Sequence, residues 1–234
     1  MDKLIFINID MGRLIDKRIL FVHIPKTAGT FLNRNFAGNF EFEWEYPKHI
    51  PLHDLYERAK QEGIDVSKLY TISLVRNPWS KQYSTWSFFK QLEYKEYFSG
   101  DADIDNDFNT WMKWVYSEKF DRNIIRKGLK LWPYIFNNQL NWFKSADGKD
   151  YKIDKLIKME NLDKELIPLA EELGMKAIFK GRVNFQKNRP SYDQIYNQES
   201  IDLVAKHFAE DIKTFDYNYQ QLSTTQGLCA LPWE

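Results

Sequence analysis

The chain has 234 residues, with 33 Lys and Arg against 33 Asp and Glu, so its formal net charge is zero. This balance excludes a general electrostatic attraction to nucleic acid or to an anionic membrane, and any anion must be bound by a local basic site. The single cysteine, Cys229, excludes a disulfide scaffold. The length, without an internal repeat or a linker rich in Pro, Gly or Ser, predicts one domain over residues 1–234.

Strand-like and helix-like segments alternate along the chain. The predicted elements, in chain order, are strand 18–24, helix 29–38, strand 69–75, helix 78–90, strand 153–159, helix 163–173 and helix 199–213. This alternation is typical of a parallel sheet with helices on both faces. The predicted fold class is therefore α/β, as three α/β/α layers around a central parallel sheet. The aromatic-rich stretch 91–150 is expected to be mostly helical.

The first predicted strand ends in a short turn that carries a lysine and a glycine. Pro25 stops the strand, and Lys26 and Gly29 lie just before the next helix. The amides of residues 27–30 would then lie at a helix N-terminus, where unpaired N–H groups and the macrodipole favour an anion. The pattern predicts a phosphate-binding loop. It is not a Walker A loop, because the lysine precedes the glycine.

The second predicted strand is followed by a motif that also suits a phosphate. Arg76 follows the strand, Pro78 fits the first turn of a helix, and Ser84 lies less than two turns further on. Ligands of open α/β sheets bind at the carboxyl ends of strands. A guanidinium and a hydroxyl that converge there can hold the oxygens of a terminal phosphate.

The two motifs together resemble the nucleotide-binding motifs of sulfotransferases that use 3′-phosphoadenosine 5′-phosphosulfate (PAPS). The similarity is to the branch with carbohydrate sulfotransferases and covers about residues 18–217, and residues 223–234 are expected to form a short C-terminal tail. It implies a P-loop-like sulfotransferase fold. It also implies that the first motif holds the 5′-phosphosulfate through Lys26, Thr27, Ala28, Gly29 and Thr30.

The same resemblance implies that Arg76 and Ser84 hold the 3′-phosphate of PAPS and that Arg189 also binds the cofactor. The chain departs from the family pattern at two positions. Ala28 replaces a glycine or serine, and Lys81 replaces an arginine, so that Lys81 cannot make a bidentate contact. Neither change alters the charge pattern.

The resemblance further implies a histidine as the general base, near a Pro-rich turn between the two motifs. His49 matches that position better than His53, which is expected to enter the following helix. The expected reaction is in-line transfer of a sulfuryl group to an acceptor hydroxyl, with His49 and Lys26 as catalytic residues. The product would be adenosine 3′,5′-bisphosphate. The alternatives are a nucleotide-binding regulatory module without turnover and a P-loop-like kinase.

The remaining expectations concern partners and location. The acceptor would be a sugar, a phenol or another small molecule with a hydroxyl, and neither nucleic acid nor a metal is expected to take part. The alternating aspartates at 101–107 invite a calcium site, but Asn106 and Met112 occupy EF-hand positions that require Gly and Glu. No apolar run approaches a membrane span. The absence of the anchor that Golgi members carry predicts a cytoplasmic enzyme of bacterial or viral origin.

Overall fold

The structure is a computed structural model. It describes residues 14–16, 18–42, 49–91, 99–120, 134–149, 151–176, 178 and 190–224, except the side chains of 223 and 224. Three sequence-based assignments, Cys229, Arg189 and most of the C-terminal tail, lie outside the described residues.

A four-stranded mixed sheet forms the centre of the fold. Its strands lie in the order β1 (Leu14–Ile15), β2 (Ile19–Val22), β3 (Tyr70–Val75) and β4 (Lys155–Lys158). β2, β3 and β4 are parallel neighbours and confirm the three predicted strands. The prediction of a purely parallel sheet was wrong, because β1 pairs antiparallel with β2. β1 has only two residues, so it is too short to be recognised in the sequence by an alternation of apolar and polar residues.

The helices of the structure agree with the predicted helices, with one break. Their bounds are α1 Gly29–Ala37, α2 Leu52–Gln61, α3 Pro78–Gln91, α4 Ala102–Asn106, α5 Phe108–Val115, α6 Leu162–Leu173, α7 Tyr192–Ile195, α8 Gln198–His207, α9 Ala209–Thr214 and α10 Gln221–Thr224. Short 3-10 turns span Val66–Lys68, Gln139–Phe143 and Met159–Asn161. The single helix predicted over 199–213 is two helices, α8 and α9, because Phe208 leaves the helical conformation at φ −116° and ψ 27°.

Helices cover both faces of the sheet. In β2, Leu20 and Val22 pack with α2 in one apolar cluster, whereas Ile19 and Phe21 pack with α1 and α6 in another. Because successive residues of a strand point to opposite faces, one strand contributes to both clusters. The three layers predicted from the alternation of elements are thus present.

A third apolar cluster, dominated by aromatic side chains, lies where α3, α5 and α8 meet. Trp111 of this cluster and Trp142 beside α2 have no exposed surface, so both are core residues. The stretch 91–150 contains α4, α5 and a 3-10 turn. Its residues 92–98, 121–133 and 150 lie outside the described residues, so the predicted helical content is supported for a part of it only.

The acidic stretch at 101–107 caps helices. Asp101 accepts a hydrogen bond from the amide of Asp103 at the start of α4, and Asp107 accepts one from the amide of Thr110 at the start of α5. Asp105 accepts the amides of Ser99 and Gly100. These carboxylates therefore have a structural explanation. Over the part of the chain that the structure describes, no group of three or more His, Cys, Asp or Glu could hold a metal ion, and no helix is long and apolar enough to cross a membrane.

Candidate functional site

Two loops meet where the parallel strands β2 and β3 end. The loop after β2 carries Lys26, and Arg76 directly follows β3. Because the strands are parallel and in register from Ile19 with Tyr70 to Val22 with Ser73, their carboxyl ends lie side by side. Arg76 donates a hydrogen bond of 2.9 Å from Nη1 to the carbonyl oxygen of Lys26. The structure thus brings the two predicted phosphate motifs into direct contact.

The loop after β2 is held in an unusual backbone conformation. Lys26 and Ala28 have φ of 65° and 68°, in the left-handed region that favours glycine. Thr27 is fully buried, and its hydroxyl donates to the carbonyl oxygen of Ile24 at 2.8 Å. Its side chain is therefore occupied within the loop. Left-handed residues in such a turn direct neighbouring N–H groups to one side, which is the geometry of an anion-binding nest.

Gly29 has a steric role in the packing of this loop. A Cβ atom at Gly29 would lie 2.0 Å from Cδ2 of His23. The imidazole of His23 therefore fills the space that any larger residue would need, and glycine is required for the contact between the end of β2 and the start of α1. His23 is buried and stacks on Phe21, so it is a packing residue, as a histidine within an apolar strand suggests.

Lys26 lies against an aromatic ring. Its Nζ is 3.8 Å from the centroid of the Phe88 ring, which belongs to α3. A cation over the face of an aromatic ring is attracted by the ring quadrupole. Thr30 is half-buried in the first turn of α1. The backbone of Lys26 thus contacts Arg76, whereas its ammonium group lies against Phe88, further along α3.

Arg76 is a buried cation that does not face a carboxylate. It is 7% exposed, and its Nε donates to Oγ of Ser80 at 2.7 Å. Within the described ranges, no Asp or Glu forms an ion pair with it. A buried charge without an opposite charge is costly, and a bound anion removes that cost. The guanidinium therefore fits an anion such as phosphate.

Ser84, the predicted partner of Arg76, lies one turn beyond Ser80 on the same face of α3. It is half-buried, and the serine that contacts the guanidinium is Ser80 instead. Ser84 is thus further from Arg76 than Ser80 is, and its role in phosphate binding stays a prediction. The sequence analysis did not identify Ser80 as a partner of Arg76, although a spacing of four residues was a signal for it.

A buried polar network holds the backbone of Arg76. The side-chain amide of Gln139 accepts a hydrogen bond from the backbone N–H of Arg76 at 2.9 Å and donates one to its backbone carbonyl oxygen at 2.8 Å. Asp211 accepts from the N–H and the side-chain amide of Gln139 and from the N–H of Leu140. Burial raises the pKa of Asp211, while its hydrogen bonds with Gln139 and Leu140 act in the opposite direction.

Sequence reasoning assigned no role to Gln139 or Asp211. A signal was present for Asp211, because it stands between the apolar residues Phe208 and Ile212 of the predicted last helix. A carboxylate on the buried face of a helix must find hydrogen-bond donors. No comparable signal exists for Gln139, whose partners depend on tertiary contacts.

Lys81 lies in the core and not beside the loop that carries Lys26. Its side chain has no exposed surface, and Nζ donates to the carbonyl oxygen of Ile135 at 2.7 Å. Burial lowers the pKa of Lys81 to about 8, although the nearby Asp211 acts in the opposite direction. The contacts of Lys81 thus lie within the core.

His49 lies beside the end of β2 and the loop that carries Lys26. Its Nδ1 is 2.8 Å from the carbonyl oxygen of His23, and the two imidazole rings are 4.5 Å apart. A carbonyl oxygen only accepts hydrogen bonds, so Nδ1 of His49 carries a proton and Nε2 is the basic nitrogen of the neutral ring. Since the His23 ring also packs against Gly29, His49 and the start of α1 share one neighbour.

His53 is placed differently. It lies in the first turn of α2, as predicted, and its Nδ1 is 3.1 Å from the hydroxyl of Tyr151. The His53 and Tyr151 rings are stacked. Its two contacts are thus with Tyr151 rather than with the loop that carries Lys26.

Comparisons with protein-family models, with curated proteins and with solved structures each found no match to this chain. Its functional assignment therefore depends on the residues and their geometry.

The left-handed conformation of Ala28 predicts a gain in stability on replacement by glycine. Ala28→Gly should raise the free energy of unfolding by about 1 kcal/mol, because a Cβ atom is unfavourable at this φ. Urea unfolding of the purified variant measures the change. Ala205→Gly, in the exposed interior of α8, is the control and should lower stability by about 1 kcal/mol. A loss of stability in both variants would contradict the strained loop.

The lowered pKa of Lys81 predicts how stability depends on pH. Between about pH 8 and pH 10.5 the unfolded chain keeps the proton of Lys81 and the folded chain releases it. The unfolded state then binds more protons, so the free energy of unfolding rises with pH in this window. Relative to Lys81→Met, wild type should gain about 1.4 kcal/mol per pH unit, measured by urea unfolding at each pH. A difference that does not change with pH would show that Lys81 is not buried in this way.

Proposed function

We propose that this protein is a PAPS-dependent sulfotransferase that transfers a sulfuryl group to the hydroxyl of a carbohydrate or another small molecule. The observation that carries the proposal is the contact of Arg76 with the carbonyl oxygen of Lys26. It unites two phosphate motifs whose sequences resemble those of PAPS-dependent sulfotransferases. The P-loop-like sulfotransferase fold and a cytoplasmic location belong to the same proposal.

The hydrogen-bond donors of the loops that follow β2 and β3 suit a nucleotide with phosphates at two positions. PAPS would supply the sulfuryl group on its 5′-phosphate, and its 3′-phosphate is the feature that distinguishes it from other adenine nucleotides. Lys26, with the amides from Thr27 to Thr30, would hold the 5′-phosphosulfate. Arg76 would hold the 3′-phosphate, with Ser84 as a further predicted contact. Arg189 keeps its predicted role in cofactor binding.

His49 would act as the base. As the acceptor oxygen forms its bond to sulfur, the hydroxyl proton passes to Nε2 of His49, and the sulfur–oxygen bond to the 5′-phosphate breaks. The electron pair of that bond stays on the phosphate oxygen, where negative charge grows. Lys26 and the amides at the start of α1 stabilise this charge. An imidazole suits the step because histidine ordinarily titrates near neutral pH.

The predicted 3′-phosphate contact is tested by nucleotide selectivity. Adenosine 3′,5′-bisphosphate should bind much more tightly than 5′-AMP, and Arg76→Ala should weaken its binding about tenfold to a hundredfold, because one charge-assisted contact is lost. Titration calorimetry gives both affinities. Arg58→Ala, on the exposed side of α2, is the matched control and should bind as wild type does. Equal affinity of the wild type for the two nucleotides would overturn the proposed clamp.

The proposed base is tested by separating its hydrogen bond from its basicity. His49→Asn can still donate to the carbonyl of His23 but cannot accept a proton, so turnover of an acceptor found with sulfur-labelled PAPS should fall by about 10²–10⁴-fold. Its affinity for adenosine 3′,5′-bisphosphate should stay unchanged. His53→Ala is the comparison and should remain within a few fold of wild type.

Three results would alter this assignment. Loss of activity in His53→Ala alone would move the base to His53. Full activity of His49→Asn would reduce His49 to a structural residue. Tight nucleotide binding without turnover for any acceptor would favour a regulatory nucleotide-binding module over an enzyme.

A further inference from the structure

We infer that Ser80 is a direct ligand of the phosphate group that Arg76 holds, and that Tyr192 is a positioning residue that orients the Ser80 hydroxyl. This inference rests on the proposed function and adds two residues to its 3′-phosphate site. Nothing in the sequence motifs assigned either role.

The first step is the hydrogen bonding of Ser80. Its Oγ accepts from Nε of Arg76 at 2.7 Å and from the hydroxyl of Tyr192 at 2.7 Å. A serine hydroxyl has two acceptor positions and one proton. Both acceptor positions are therefore used, and the proton of Ser80 has no acceptor among the residues that the structure describes. Ser80 is 4% exposed, so bulk water does not easily satisfy this proton.

The second step is the planar geometry of arginine. The Nε–H group and the neighbouring N–H of Nη2 point in the same direction, as in the bidentate contacts that guanidinium groups make with carboxylates and phosphates. Ser80 occupies the position at Nε. A phosphate oxygen that accepts from Nη2 would therefore lie beside Oγ of Ser80, within reach of its unused proton.

The third step is the direction of the chain of hydrogen bonds. Tyr192 donates to Ser80, and Ser80 would donate to the phosphate oxygen, so each bond polarises the next. Arg76 and Ser80 are both buried, where charge-assisted hydrogen bonds are stronger than in water. Tyr192 belongs to α7, which is 112 residues beyond Ser80 in the chain. Docking of α7 thus prepares the phosphate site.

The experiment compares the affinities of adenosine 3′,5′-bisphosphate and 5′-AMP for Ser80→Ala by titration calorimetry. The first affinity should fall about tenfold and the second should not change, because 5′-AMP lacks the phosphate that Ser80 contacts. Tyr192→Phe should lower the affinity for the bisphosphate alone, by about two- to fivefold. The loss is smaller because Ser80 keeps the proton that it donates to the phosphate. Ser200→Ala removes another buried serine hydroxyl, outside the site, and should leave both affinities unchanged.

A double-mutant cycle with Arg76→Ala separates a direct contact from an effect through Arg76. If Ser80 is a direct ligand, adding Ser80→Ala to Arg76→Ala should still weaken the binding of adenosine 3′,5′-bisphosphate about threefold. An unchanged affinity in Ser80→Ala, or a loss that disappears in the Arg76→Ala background, would overturn the role of Ser80. If Ser80→Ala does not fold, Ser80→Cys gives the same comparison, because a thiol is a weak donor.

Failure of the proposed function would look different. In that case the wild type itself would bind the bisphosphate no better than 5′-AMP, before any substitution is made. With a selective wild type, the outcome of the Ser80 variants concerns Ser80 and Tyr192 alone.

Discussion

The hydrogen bond from Arg76 to the carbonyl oxygen of Lys26 joins two loops that are 50 residues apart in the chain. It forms because β2 and β3 are adjacent and parallel, so that both loops leave the sheet at the same edge. An antiparallel pair would have placed the loops at opposite edges. The parallel pairing of two strands is thus the condition for any joint action of Lys26 and Arg76.

The position of Arg76 depends on groups from three further parts of the chain. Gln139 holds its backbone on both sides, Asp211 holds Gln139, and Ser80 holds its guanidinium. Each of these residues is at most 4% exposed. A buried hydrogen bond that loses one partner leaves the other unsatisfied, so the network resists small displacements. A binding site for a compact anion requires such rigidity, because charge-assisted contacts depend on distance and angle.

The sequence was sufficient for much of the fold and for part of the site. The strands at 69–75 and 153–159 and the helices at 29–38, 78–90 and 163–173 were predictable because long apolar patterns and Pro or Gly signals define them locally. Gly174, which ends α6, is in the left-handed conformation at φ 71°, where glycine is favoured. The convergence of Lys26 and Arg76 was also predictable, since it follows from the parallel order of the strands.

The rest depends on contacts that no local pattern encodes. The strand β1 has two residues, and the break at Phe208 has no Pro or Gly to mark it. The packing of His23 against Gly29 gives this glycine a steric role that the loop motif alone does not reveal. Gln139 and Tyr192 reach the site through distances of 63 and 112 residues along the chain. Spacing can predict a partner within one helix, but it cannot predict one that tertiary packing brings near.

His23 connects His49, the proposed base, to the loop that carries Lys26. The carbonyl of His23 fixes the Nδ1 proton of His49, and the ring of the same His23 rests against Gly29 at the start of α1. A displacement of α1 would therefore move His23 and, through its carbonyl, the nitrogen that carries the basic lone pair. In a sulfuryl transfer the base and the groups that hold the leaving phosphate must lie on opposite sides of the sulfur at fixed separation. One buried histidine that contacts both would keep that separation constant.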